Sequence, residues 1–169
     1  RRGWILDRIK LVCSVFAVDL CAYAIMSTHY HIVVKLNTEQ SKQWSTEEVA
    51  RRWLQLFPPQ VKKKRVATDA EDRDTGDVTQ AAMCMITSRP ERLMELRGRL
   101  SDISWWMRCT TEHIARRANR EDACTGHFWE GRYKCQLLLD EASLLACAAY
   151  VDLNPVRAAL AATPALPQP

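Results

Sequence analysis

The sequence predicts an α+β fold, and three observations carry that expectation. An apolar period of three to four residues runs through Trp4, Ile5, Ile9, Val12, Cys13 and Phe16, then gives way to two β-rich runs on either side of Ser27 and Thr28. Helical spacing returns after them and is interrupted once more, by a β-like run at 129–139. Strands and helices segregated in this way, without repeated βαβ units, mark the α+β class.

Length and composition narrow the class of protein. A chain of 169 residues, 47% apolar and 26% charged, has the size of one domain and the composition of a globular one, which excludes disordered and collagen-like chains. No apolar run approaches the ~20 residues a bilayer-spanning helix needs. Seven cysteines, odd in number and without a C-x-x-C pair, predict reduced and mostly buried thiols in a cytosolic protein. The chain opens on Arg1 inside the first helical pattern, which reads as a piece of a longer protein.

The elements follow in order. The first amphipathic helix ends near residue 16, and residues 17–26 and 29–36 form two antiparallel strands joined by a tight turn. Ser45 followed by Glu48 is a capping-box pattern for a short helix through Val49, Trp53 and Leu56, stopped by Pro58 and Pro59. Residues 66–80 read as a linker, because 67–77 carry five acids, one base and few apolar side chains. Beyond it, residues 81–120 read as a helical insertion, with Pro90 at the first position of one helix and Ser101 capping another. Gly126 ends the helical region, 129–139 is read as a strand, and Asp140 caps a last helix carrying Leu144, Ala148 and Val151 up to Asn154 and Pro155.

Net charge is +4, but the acidic stretch hides a basic protein: residues 1–66 hold twelve bases against five acids. The run Lys62, Lys63, Lys64 and Arg65 is a candidate phosphate-binding arm, although such runs are more often solvated. Arg132 and Lys134, two apart on the expected strand, could track a nucleic-acid backbone. Trp105 and Trp106 read as core, and His113 and His127 as surface residues.

His29 and His31 flank Tyr30, and side chains two apart on a strand share a face, so the two imidazoles can chelate one divalent ion. Alone, the tripeptide is weak, and two surface histidines are the commoner outcome. Tyr150 and Asn154, four residues apart, put a phenol and a carboxamide on one helix face. A phenolate can act as a covalent nucleophile, though taken alone the pair is better explained by a surface aromatic and a capping Asn.

Together the segments AYAIMSTHYHIVVKL and FWEGRYKCQLLLDEASLLACAAYVDLNPVRAAL resemble the single-tyrosine HUH transposases, in particular the REP-associated tyrosine transposase and IS200-like group. The resemblance implies a ferredoxin-like HUH endonuclease fold over residues 1–160, with 161–169 as a C-terminal tail. That fold begins with a strand ahead of the first helix, so a sheet lacking its first strand is expected here. The gap would lie between the histidine strand and 131–139. By the same resemblance Tyr150 is the nucleophile, and His29, His31 and Asn154 hold a divalent ion, Mg or Mn. The activity implied is nicking and rejoining of single-stranded or hairpin DNA through a 5′-phosphotyrosine, as in transposition or the processing of palindromic repeats. Arg157 joins the DNA-contact candidates. A cytoplasmic, nucleoid-associated monomer or homodimer without a membrane partner is expected. The competing readings are a truncated or domesticated relative that binds nucleic acid without cutting it, and a small metal hydrolase using the two histidines.

Overall fold

The computed structural model describes residues 1–59 and 71–157. Helix α1, Arg2–Val15, buries Ile9, Val12 and Val15, the positions its apolar period selects. Strands β1, Val18–Ile25, and β2, Tyr30–Leu36, pair antiparallel, and the Met26 amide closes the turn on the His29 carbonyl at 2.9 Å. Mixed α+β architecture is therefore observed, with a two-stranded sheet among the described residues.

A bulge in β1 decides what each face of the sheet does. The register slips between Leu20 and Ala22, so Leu20 stands opposite Val34 and Ala22 opposite Val33. Without the slip, Val18, Leu20, Ala22 and Ala24 would all share one face. With it, Val18 and Leu20 join the main core, while Ala22 and Ala24 join a second, smaller cluster. Cys21, at the slip, is exposed.

The main core lies under α1 and is completed by helices α3, Thr46–Leu56, α5, Pro90–Arg99, and α6, Ile103–Glu121. It centres on Ile9, Val12, Val49, Leu96, Leu100 and Trp106, and Ile32 and Val34 reach it from the sheet. The smaller cluster joins Ala22, Ala24 and Val33 to Val151 of helix α7, Glu141–Arg157. The sheet separates the two.

Several expectations change. A short helix, α2, Thr38–Gln43, fills what the sequence left unassigned. Helix α4 spans Glu71–Thr87, so the expected linker does not hold over residues 71–80; residues 66–70 lie outside the described residues, as does the 161–169 tail. Asp102 rather than Ser101 caps α6: its carboxylate accepts from the Trp105 amide at 2.8 Å, while the Ser101 hydroxyl turns back to the Arg97 carbonyl at 3.1 Å.

Residues 129–139 form no strand. The segment is pinned by side chains: the Trp129 indole donates to the Thr111 carbonyl at 3.0 Å, Tyr133 meets the Ser104 hydroxyl at 3.2 Å, and Leu138 enters the smaller cluster. Alternation of apolar residues specifies faces but not a ladder partner, and among the described residues no strand pairs with this segment. The thiols are also less buried than expected: Cys21, Cys84, Cys124 and Cys135 are exposed and Cys109 alone is fully buried, with all seven free. Among the described residues no helix is long and apolar enough to cross a membrane.

Candidate functional site

The site forms where α7 crosses the sheet. Ala24 pairs with His31 in the ladder, and Ala22 pairs with Val33. These small side chains, together with Cys147 and Ala148 on the helix, let α7 lie close to the strands. Asp140 starts the helix as the sequence predicts, its carboxylate accepting from the Ser143 amide at 2.7 Å. Ten residues further on, Tyr150 comes over the histidines.

The structure brings three of the four principal candidates together. The His29 and His31 rings lie 4.9 Å apart between centroids and nearly perpendicular, and the Tyr150 ring lies 6.0 Å from that of His31. His29 sits at the turn, immediately before β2, and its Nδ1 is 3.1 Å from the Thr28 hydroxyl. That contact leaves Nε2 as the nitrogen for a ligand. Partial burial lowers the pKa of His31, and the neighbouring His29 lowers it further. Tyr30 points to the opposite face, where it packs on Trp129 at 5.6 Å, and burial pushes its phenol up to about 12.

Asn154 lies one helical turn beyond Tyr150, and its Nδ2 donates to the Tyr150 carbonyl at 2.9 Å. That bond occupies the nitrogen end of the carboxamide, so the oxygen is the end available to a cation. The two neighbouring imidazoles are the donors the structure brings together, a pair of a kind that suits a divalent ion. Among the described residues no group of three His, Cys, Asp or Glu side chains gathers to hold one.

The basic candidates are not assembled with the site in the same way. Lys62, Lys63, Lys64 and Arg65 lie outside the described residues, and so does the side chain of Arg157. Arg132 and Lys134 are exposed, but on a segment that is not a strand, so no pleat aligns them on one face. His113 and His127 are exposed as expected, and Trp106 is core while Trp105 is half-buried. Sequence reasoning missed Thr28 and Ala24. A hydroxyl residue in the turn directly before the histidines is the signal that could have found Thr28. Ala24 becomes visible only once the register is known. Compared with protein-family models, with curated proteins and with solved structures, the chain matches none.

Proposed function

We propose that this chain is an HUH-type tyrosine endonuclease that nicks and rejoins single-stranded DNA, built on a ferredoxin-like core in which β2 is the histidine strand. The observation that carries the reading is the convergence of His29, His31 and Tyr150, which are distant in sequence and adjacent across the β2–α7 contact.

His29 and His31 would hold a Mg or Mn ion through ring nitrogens, with the Asn154 carboxamide oxygen as the third protein ligand. Such an ion supplies Lewis-acid polarisation of the scissile phosphate. Tyr150 provides the nucleophile: its oxygen bonds to phosphorus as the bond to the 3′ oxygen breaks. The phenol gives its proton to solvent and the leaving oxygen takes one, becoming a free 3′-OH. The resulting 5′-phosphotyrosine conserves the phosphodiester linkage, so attack by a 3′-OH rejoins the strand without a nucleotide cofactor.

The test is incubation of the chain with Mn²⁺ and 5′- or 3′-labelled single-stranded and hairpin DNA, followed by denaturing electrophoresis. An SDS-resistant adduct carrying the DNA 3′ of the nick is expected. Cleavage without adduct would replace this reading with a metal hydrolase, and binding without either would leave a non-catalytic nucleic-acid-binding relative.

A further inference from the structure

Across the sheet from Tyr150, the main-core helices α3 and α6 frame a groove of about 480 Å³. Its floor is aromatic. Trp53 stacks on Phe57 at 4.3 Å and meets Trp105 edge-on at 6.0 Å. Guanidiniums line it: Arg99 lies over the Trp105 ring at 4.1 Å and Arg108 at 5.1 Å, with Arg116 two turns further along α6. Arg8 is committed elsewhere, donating through Nε and Nη2 to the Cys109 carbonyl at 3.1 and 2.7 Å.

The balance of charge and exposure points to what the groove takes. Glu112 is the one carboxylate among the lining side chains, and it is shared by Arg108, at 3.7 Å, and Arg116. One anion between two cations leaves excess positive charge, on side chains that are 65% and 75% exposed. Phe57 is 41% exposed although one face of its ring is already stacked. Two exposed guanidiniums sharing a single carboxylate, set beside the exposed ring of Phe57, match a ligand that alternates phosphates with flat bases. An acidic polypeptide would satisfy the arginines and make no use of the rings.

We propose that this groove binds single-stranded nucleic acid, with Arg108 and Arg116 taking phosphates and Phe57 stacking a base beside Trp105. The surface lies on the opposite side of the sheet from the tyrosine site and does not depend on the nicking chemistry proposed for it.

The experiment measures fluorescence anisotropy of a labelled dT oligonucleotide with the whole chain over a salt series. The R108A/R116A pair is expected to weaken binding at least tenfold and to flatten the log K against log salt slope by about 1.4, the value for two single-strand phosphate contacts. Phe57→Ala should weaken binding several-fold with the slope unchanged, and ultraviolet crosslinking should mark Phe57 and Trp105. These side chains are exposed or half-buried, and circular dichroism establishes that the variants fold. Unaltered affinity in every variant, no binding by the parent chain, or crosslinks confined to residues outside the groove would overturn the proposal. So would equal displacement by polyglutamate combined with indifference to Phe57→Ala, which would assign the groove to an acidic polypeptide. Adduct formation is a separate readout. A chain that binds dT through these residues but never forms an adduct upholds the groove and ends the nicking reading.

Discussion

Ala24 stands opposite His31 in the ladder and has no atom beyond Cβ, so the imidazole and the approaching helix share the space a larger side chain would fill. Ala24→Leu is therefore expected to cost about 1–3 kcal/mol through overpacking and to lift Tyr150 off the histidines. The measurement is adduct yield beside the unfolding midpoint: yield should fall well beyond the fraction of protein unfolded, and an unchanged yield would show that α7 does not need this close approach. Tyr150→Phe makes the complementary change, keeping the ring and removing the oxygen. It should abolish covalent capture and leave DNA binding within a few-fold, as read by gel shift in parallel with denaturing gels. An adduct surviving in that variant would move the nucleophile elsewhere; Tyr133, packed on the main core, would then be examined first, since burial disfavours the Tyr30 phenolate. At this scale the sequence was informative where chemistry has a distinctive alphabet. The two histidines and the Tyr–Asn pair stand out by residue type and spacing, whereas an alanine's contribution exists only in its register.

Between elements, arginines do much of the joining. Arg52 on α3 donates to the Ser14 and Val15 carbonyls at 2.7 and 3.1 Å, satisfying the C-terminal end of α1, and lies over the Trp44 ring at 4.2 Å. Arg97 on α5 does the same for the turn after α2, donating to the carbonyls of Ser41 and, at 2.8 Å, Trp44. Arg52→Ala should destabilise the fold by about 2 kcal/mol, because partly buried carbonyls lose their charged donor along with the stacking contact; equilibrium urea unfolding checks it. Glu48, beside Arg52 at 2.5 Å, has its pKa lowered chiefly by hydrogen bonding to Arg51. A carboxyl held below its unfolded value stabilises above the ordinary range of about 4.3 and loses that contribution as pH falls through the lowered value. Glu48→Gln should thus flatten the acid limb of stability below about pH 4, by no more than about 1 kcal/mol after solvent screening. Elements were readable wherever a local signal marked their start, as with Ser45 before α3 or Asp140 before α7, although α7 continues past Asn154 and Pro155 to Arg157. Helix α4 was misread because a stretch rich in acids and poor in apolar residues resembles a linker in composition even where its backbone is helical. The run at 129–139 was misread because strand formation depends on a partner that local pattern does not supply.

At the scale of the whole molecule, β2 has a ladder on one side only among the described residues. Amides bonded to β1 should be protected and those facing the other edge should exchange freely, giving a two-residue alternation along Tyr30–Leu36 in hydrogen exchange by NMR. Uniform protection would mean that the edge is paired, with a second copy or otherwise.

The two cores on either side of the sheet also differ in strength. The main one is deep in Trp, Leu, Ile and Val, while the cluster under α7 is made largely of alanines and valines. Burial free energy scales with apolar area, so α7 is held by far less of it than α1, α3, α5 and α6 are among the described residues. The unit that carries Tyr150 should therefore open in a partial unfolding event of lower free energy than global unfolding. Cys147 on α7 and Cys109 in the main core are free thiols placed to time the two events. In rising urea, alkylation of Cys147 should begin before that of Cys109. None of the six tryptophans lies on α7, so their fluorescence would still report a native protein at that point. Heat and denaturant should accordingly silence the tyrosine while the rest of the chain remains folded, and dilution of the denaturant should restore it by redocking a single helix.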